Sequence, residues 1–182
     1  MSSTSTTRFS RALVFALAVA LSLSAGCGKG GQGGHAAGGN AAIGTEAPEF
    51  ALPDLDGKVV KSSDLKGKVV ILDFWATWCG PCRMEVPHFV ALQSKYRDQG
   101  LAIVGLSLDK EGASVVKPFV EEFNVNYMML LANDETARSY GGITGIPTTF
   151  VLDKEGKVVK RFLGFTDPAV FEETIKPLLT AS

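Results

Sequence analysis

Two cysteines, Cys79 and Cys82, are the residues of this chain best suited to reversible covalent chemistry, and they stand in the segment WCGPC. The apolar run before them, Val69–Trp75, predicts a strand, and the residues after them predict a helix. Side chains three positions apart at such a junction lie about 5–6 Å from one another, which suits a disulfide. The segment therefore predicts a sulfur-sulfur bond that can open and close.

The predicted start of the helix explains why these sulfurs would react. Free backbone N–H groups and the positive end of the helix dipole stabilise a thiolate at Cys79, and the thiolate is the nucleophilic form. Pro81 fits this position because a proline in the first turn loses no helical hydrogen bond. We expect Cys79 to be the exposed, attacking sulfur and Cys82, one turn inside the helix, to be the resolving thiol.

Two cysteines at this spacing have two other interpretations, a structural disulfide and half of a zinc site. A zinc site needs a second pair of Cys or His ligands at a suitable spacing, and Cys27, His35 and His88 do not form one. The strand context and the flanking aromatic residues favour the redox interpretation. We therefore expect neither a metal ion nor a cofactor at the pair.

The segment WCGPC, preceded by Asp73, Phe74 and Trp75, resembles the active site of thioredoxin. Over residues 43–179 the chain resembles the extracytoplasmic TlpA/ResA/CcmG branch of the thioredoxin superfamily. The resemblance implies an α/β, thioredoxin-like fold with a central mixed β-sheet flanked by helices, an N-terminal β-hairpin extension and an inserted helix. It also implies a thiol-disulfide oxidoreductase.

Hydrophobic periodicity and turn signals predict the elements that position this site. Two short strands flank the turn signal Asp56-Gly57, and the sequence of this segment resembles that of both TlpA-like proteins and peroxiredoxins. The other predicted strands are Val69–Trp75, 101–108, 127–131, Thr148–Leu152 and 158–162. The predicted helices are 83–99, 113–123, 135–140 and 167–179, with Pro87 kinking the first and Pro177 disturbing or ending the last.

Asp73 is a carboxylate within a strand that is otherwise apolar on both faces. An ionised carboxylate is costly to bury, so we expect a raised pKa or a hydrogen-bonding partner. Its match to the buried aspartate of thioredoxin implies that it moves a proton to and from Cys82 through water. The alternative is an aspartate bonded to a nearby donor. Alignment with thioredoxin places Gly105 where that protein has a buried lysine, so Asp73 lacks the usual cationic partner.

Glu85 follows Cys82 by three residues, so a helix places both side chains on one face. It matches the glutamate that TlpA/ResA-type proteins carry near the active site, which implies a second acid for proton transfer. The alternative is a surface glutamate, which the helix dipole favours in the first turn.

A second loop, around Pro147, completes the site that the resemblance implies. Pro147 matches the cis-proline of the superfamily, and the backbone of Ile146 would pair with an extended client chain as a short added strand. Trp78, Gly80 and Pro81 border the cysteines, and we expect them to contact the same client.

The first residues of the chain resemble an export signal rather than part of the fold. Residues 12–23 form an apolar run behind Arg8 and Arg11, too short to span a bilayer comfortably. The run ends in LSAGC, which resembles a bacterial lipobox with Cys27 as the lipidated residue; the alternative is cleavage near Ala25, which leaves Cys27 as a free thiol. The predicted organisation is a signal peptide over 1–26, a lipidated, glycine-rich tether over 27–44 and a thioredoxin-like domain over 45–182.

Length and composition agree with one packed domain. The chain has 182 residues, of which 46% are hydrophobic, and a formal net charge of −1. It is long enough for a real core, and nothing in it is basic enough to indicate nucleic-acid binding.

Together these features predict an oxidoreductase that reduces disulfides in exported proteins, from a lipid anchor on a bacterial membrane and facing the periplasm or the cell exterior. By resemblance, its clients are disulfide-containing proteins such as apocytochrome c, and a membrane thiol conduit of the CcdA/DsbD type recharges it. Two alternatives are a peroxiredoxin-like thiol peroxidase and a copper-binding thiol metallochaperone. Against the first, Thr77 lies too close to Cys79 for the Pro-x-x-x-Thr-x-x-Cys pattern; against the second, no His or Met is placed to complete a copper site.

Overall fold

The computed structural model of the protein describes residues 41–181. The predicted signal peptide, Cys27 and most of the predicted tether therefore lie outside the described residues. The last residues of the predicted tether belong to the folded domain, because Ala41 is buried in the core and the Gly44 N–H donates to the Val158 carbonyl at 2.7 Å. The packed domain thus begins slightly before the predicted boundary.

Within the described residues, seven strands form two sheets. The strands are β1 (Ala51–Pro53), β2 (Val59–Lys61), β3 (Val69–Trp75), β4 (Leu101–Ser107), β5 (Met128–Leu131), β6 (Thr148–Leu152) and β7 (Val158–Leu163). Strands β1 and β2 pair as the predicted antiparallel hairpin. The other five form a mixed sheet in the order β5-β4-β3-β6-β7, in which β3, β4 and β5 are parallel and β6 is antiparallel to both of its neighbours.

Four α-helices accompany the sheet within residues 41–181, and none of them is long and apolar enough to cross a lipid bilayer. They are α1 (Gly80–Tyr96), α2 (Ala113–Glu122), α3 (Asp134–Ser139) and α4 (Pro168–Thr180). Helix α1 continues through Pro87, and α4 continues through Pro177, so neither proline ends its helix. Each proline removes one helical hydrogen bond, but the buried apolar faces of both helices pack together against the sheet. This packing holds the helices intact.

Strand β3 lies at the centre of the molecule, and all seven of its residues are buried, as predicted for a parallel strand covered on both faces. Leu72 faces a core that includes the β1–β2 hairpin, whereas Ile71 faces a second core with α1 and α4. Trp75, at the carboxyl end of β3, belongs to a third cluster that contains both active-site cysteines and residues of α2. The end of the central strand is therefore packed on every side.

Candidate active site

The two cysteines form a disulfide at the junction of β3 and α1. The Cys79–Cys82 bond joins Cα atoms that are 5.3 Å apart, within the range that the spacing predicts. Cys79 is the N-cap of α1, and the Cys82 N–H donates to Cys79 Sγ at 3.3 Å. An otherwise unpaired amide of the first helical turn is thus aimed at the first sulfur.

The exposure of the cysteines differs from expectation. Cys79 is only 5% exposed and Cys82 is 1% exposed, so the prediction of an exposed Cys79 is wrong for the disulfide form. The physical reason is the loop before β6, whose Ile146 carbonyl oxygen lies 3.7 Å from Cys79 Sγ. Trp78, by contrast, is 69% exposed directly beside the pair. Of the two sulfurs, Cys79 remains the more accessible one.

The Ile146-Pro147 peptide bond is cis, as the resemblance implied. The loop that carries it is fixed from β7, because the Gly164 N–H donates to the Pro147 carbonyl at 2.8 Å. Leu163, next to Gly164, is exposed and lies near Gly145 of the same loop. The structure therefore brings Ile146 and Pro147 together with the cysteines, as predicted.

Asp73 is buried, and both outcomes expected for a buried carboxylate occur. The Thr149 hydroxyl donates to Asp73 Oδ1 at 3.0 Å. Burial raises the pKa of Asp73 well above its usual range and repulsion from Glu85 adds to this, while the Thr149 hydrogen bond opposes it. The alternative reading, an aspartate bonded to a nearby donor, thus describes a real contact without removing the pKa shift.

Gly105 lies opposite Asp73 on β4, as the alignment with thioredoxin indicated. A Cβ atom at this position would clash with Met129 Sδ and lie 2.9 Å from Trp75 Nε1. The space that a larger residue would need is therefore already filled by Met129 and Trp75.

Glu85 is only 1% exposed, so the alternative of a surface glutamate is wrong. The Thr166 N–H donates to Glu85 Oε1 at 2.8 Å, while Oε2 has no hydrogen-bonding partner among residues 41–181. Burial raises the pKa of Glu85 to about 7, against the opposing effect of the Thr166 hydrogen bond. At neutral pH this carboxyl group can therefore both donate and accept a proton.

Sequence reasoning missed a third buried acid, Asp109, two residues beyond β4. Its carboxylate accepts the Thr77 N–H at 3.0 Å, the Thr77 hydroxyl at 2.6 Å and the Ser107 hydroxyl at 2.8 Å. These bonds hold the turn that leads from β3 to Cys79. The signal was available, because parallel strands β3 and β4 end at the same edge of the sheet and Thr77 also stands two residues beyond its strand.

Arg83 was also missed. Its guanidinium donates to the Thr77 carbonyl at 3.2 Å and lies over the rings of Phe119 and Phe123, at 5.1 and 4.8 Å from their centres. Arg83 thereby ties the inserted helix α2 to the turn before Cys79.

Within residues 41–181, no three His, Cys, Asp or Glu side chains are grouped as they would be around a metal ion.

Comparison with known proteins places this geometry in a family. The chain matches the model of the AhpC/TSA family over residues 43–161. It is 39% identical over 122 residues to a thiol-disulfide oxidoreductase ResA from Bacillus thuringiensis, covering 67% of this chain and 70% of the relative. A ResA from Bacillus subtilis is also 39% identical, over 121 residues that cover 66% of this chain and 67% of the relative.

A solved structure with a similar fold supports the same assignment. A thiol:disulfide interchange protein of the thioredoxin family from Chlorobium tepidum superposes with a TM-score of 0.69 and 37% identity, covering 76% of this chain and 98% of that chain. The predicted thioredoxin-like fold is thus confirmed, with its mixed sheet, N-terminal hairpin and inserted helix. The chain belongs to the AhpC/TSA family, and it is a thiol-disulfide oxidoreductase.

Proposed function

We propose that the protein reduces disulfide bonds in exported client proteins, passing two electrons from its Cys79-Cys82 dithiol to each client disulfide. The observation that carries this proposal is the position of Cys79 at the N-cap of α1, with the Cys82 N–H aimed at its sulfur. In the reduced protein, that amide and the helix dipole favour the Cys79 thiolate. Cys79 is therefore the attacking sulfur and the deeper Cys82 the resolving one.

The exchange takes two steps. In the first, the Cys79 thiolate attacks one sulfur of the client disulfide; a Cys79-client bond forms, the client bond breaks, and the departing client thiolate takes up a proton. In the second, Cys82 gives up its proton and attacks Cys79 Sγ. The mixed disulfide breaks, the second client thiolate leaves and is protonated, and the Cys79-Cys82 bond forms. The client gains two electrons and the cysteine pair loses two.

Glu85 is the proposed acceptor of the Cys82 proton in the second step. It stands one helical turn after Cys82, and its pKa of about 7 leaves an appreciable fraction ionised at neutral pH. Asp73, whose pKa burial also raises well above its usual range, is the proposed second acid, which moves a proton to and from Cys82 through water.

An extended segment of the client is proposed to lie along the cis-proline loop. The Ile146 carbonyl is close enough to Cys79 Sγ that a client sulfur bonded to Cys79 must sit beside this loop. Backbone pairing with Ile146, next to Pro147, would align the client as a short added strand. Contacts with Trp78, Gly80 and Pro81 complete the proposed binding surface.

The proposed setting of this chemistry rests on the sequence. An apolar leader and the lipobox-like segment at Cys27 support export and lipid anchoring, with the domain facing the periplasm or the cell exterior. A protein that reduces disulfides there needs recharging, so we propose a membrane thiol conduit of the CcdA/DsbD type as its electron donor. Apocytochrome c, whose haem-site thiols must be reduced, is one proposed client.

Reduction of insulin disulfides by the purified protein, with dithiothreitol as the electron source, tests the proposal. We expect turnover in the wild-type protein and none in the Cys79→Ser variant, since the attacking sulfur is gone. Turnover that persists in Cys79→Ser would remove the proposal.

The direction of electron flow has its own test, the reduction potential of the Cys79-Cys82 pair against glutathione. The Gly80-Pro81 pair resembles reducing thioredoxins, so we expect a value nearer to about −270 mV, as in thioredoxin, than to about −120 mV, as in the oxidant DsbA. A value near the second figure would reverse the proposed direction while leaving the exchange chemistry in place.

One contact disfavours the peroxidase alternative. Peroxiredoxins use a threonine beside the reactive cysteine, whereas here the Thr77 hydroxyl donates to Asp109. The Thr77 hydroxyl therefore donates its hydrogen bond to Asp109 and not toward Cys79.

A further inference from the structure

We propose that the backbone amide of Thr166 is a positioning group for the exchange reaction, because it favours the ionised, proton-accepting form of the Glu85 carboxylate, one helical turn after Cys82. This inference rests on the proposed role of Glu85 and extends it to a part of the chain, the segment before α4, that had no assigned role. The pair is distant in sequence, and only the fold brings its members together.

The first argument is the geometry of the contact. The Thr166 N–H donates to Glu85 Oε1 at 2.8 Å, and Oε2 has no partner among residues 41–181. The amide is free for this use because α4 begins later, at Pro168, and is capped by Asp167, which accepts the Ala169 N–H at 2.8 Å. Thr166 therefore supplies the one hydrogen bond that the described residues give to this carboxylate.

The second argument is that the amide is held in place. The segment 163–166 is attached to the cis-proline loop through the Gly164 N–H, which donates to the Pro147 carbonyl at 2.8 Å. Within the segment, the Thr166 hydroxyl donates to the Gly164 carbonyl at 3.3 Å. One short segment thus contacts both the loop that covers Cys79 and the acid that follows Cys82.

The third argument is electrostatic. The groups that interact electrostatically with Glu85 are Asp73 on β3 and Tyr127 before β5. The surrounding elements also carry Cys82, Arg83 and His88 on α1, Lys160 and Arg161 on β7, and Asp167 before α4. The carboxyl group of Asp73 interacts unfavourably with ionised Glu85, and the two β7 cations lie over the rings of Phe162 and Phe150. Burial also disfavours the ionised form, and the Thr166 hydrogen bond is the contact that opposes it.

A proline at position 166 removes the N–H and tests the proposal directly. The wild-type rate of insulin reduction should rise with pH as Glu85 ionises. In Thr166→Pro we expect the midpoint of this rise to move up by about 1 to 2 pH units, the range expected for the loss of a hydrogen bond to a charged group. The rate should fall about ten- to a hundredfold at pH 6 and return to at least about half of the wild-type rate at pH 9. The control Thr166→Ala keeps the N–H but loses the bond from the hydroxyl to the Gly164 carbonyl, so its midpoint should move by much less than that of Thr166→Pro.

Two further measurements separate this inference from the role of Glu85 itself. In a Glu85→Gln background, Thr166→Pro should cause no additional pH shift, since the titrating group is absent. By nuclear magnetic resonance, the Thr166 amide proton of the wild-type protein should titrate with the same midpoint as the Glu85 carboxyl carbon, a test that does not depend on the proline variant folding.

The outcomes are distinct. If Glu85→Gln leaves the wild-type pH profile unchanged, the proton-accepting role of Glu85 is removed, and this inference with it. If Glu85→Gln abolishes the rise but Thr166→Pro does not shift it, or the Thr166 amide does not titrate with Glu85, the inference alone is overturned.

Discussion

The buried acid Asp109 differs from the buried acids Asp73 and Glu85 in the number of hydrogen bonds that its carboxylate accepts. Asp109, after β4, accepts an N–H and two hydroxyls from Thr77 and Ser107. Asp73 on β3 and Glu85 on α1 accept one hydrogen bond each from the side chains and backbone of the described residues. Three hydrogen bonds make the Asp109 carboxylate a structural anchor for the turn at Thr77. Asp73 and Glu85 are buried with one hydrogen bond each, and their pKa values are raised.

This difference in hydrogen bonding suggests two roles: Asp109 fixes the position of the turn, and Asp73 and Glu85 transfer protons. Asp109 acts on the turn that carries Trp78 and Cys79, so its loss should loosen the site at every pH. In the proposed mechanism Glu85 and Asp73 act through protonation, so their loss should change how the rate and the stability depend on pH. The number of donors around a buried acid thus indicates which of these two roles it has.

The largest expected effect is on the rate. Glu85→Gln removes the proposed proton acceptor while keeping the shape of the side chain, so insulin reduction at pH 8 should slow by about a hundredfold, at the lower end of what general bases contribute. Asp109→Asn, the matched change in the other group, should slow it by less than about tenfold at all pH values. Equal losses in the two variants would erase the distinction.

The second effect is on stability. Asp109→Ala leaves the Thr77 N–H and two hydroxyls without their acceptor, and a buried donor left unpaired costs about 1–3 kcal/mol. Urea unfolding should show a loss of this size, with little change between pH 6 and pH 8. Asp109→Asn keeps one acceptor oxygen and should lose less. An unchanged free energy of unfolding in Asp109→Ala would contradict the anchoring role of Asp109.

A third effect is the pH dependence of stability. Burial raises the pKa of Glu85 in the folded protein from its ordinary value of 4.5 to about 7. The folded state then binds more protons than the unfolded state between these values, so stability should fall as pH rises through this window. Asp73 shifts in the same direction and adds to the fall. We expect Glu85→Gln to raise the melting temperature at pH 8 relative to wild type but not at pH 4.

An unchanged difference between Glu85→Gln and wild type at the two pH values would contradict this assignment. The control is Glu172, a half-buried acid whose pKa is lowered to about 2 by hydrogen bonds from Lys95, Tyr96 and Lys176. Its replacement by Gln should not change the slope of stability between pH 5 and pH 8, because Glu172 is ionised throughout that range.

The smallest expected effect belongs to Thr149. Thr149→Val removes the hydroxyl that donates to Asp73 Oδ1, and a typical hydrogen bond contributes about 0.5–1.5 kcal/mol. The midpoint of the Asp73 carboxyl titration, followed by nuclear magnetic resonance, should move up by about one pH unit or less. A downward shift would show that Thr149 stabilises the protonated acid instead.

Much of this architecture is predictable from the chain. The bounds of β3 coincide with the predicted strand because every residue but Asp73 is apolar. Helix α1 begins at Cys79, as predicted, because Pro81 favours the first turn of a helix. The cis bond before Pro147 was expected only from the resemblance, since local sequence does not determine it.

The remaining features depend on tertiary contacts. Whether Glu85 faces water or the interior is decided by the segment before α4, which lies some eighty positions away in the chain and covers it with the Thr166 amide. The low exposure of Cys79 is likewise decided by the Ile146 loop. The role of Asp109 requires the parallel pairing of β3 with β4. Local patterns contain none of these contacts.

Trapping the mixed disulfide tests most directly whether Cys79 attacks and Cys82 resolves. A Cys82→Ser variant, mixed with a client peptide that contains an activated disulfide, should accumulate a covalent adduct at Cys79, located by mass spectrometry after proteolysis. The Cys79→Ser variant should accumulate none at Cys82 on the same timescale, because Cys82 is deeper and lacks the N-cap amide. An adduct that forms at Cys82 as fast, or no adduct at Cys79, would contradict the account.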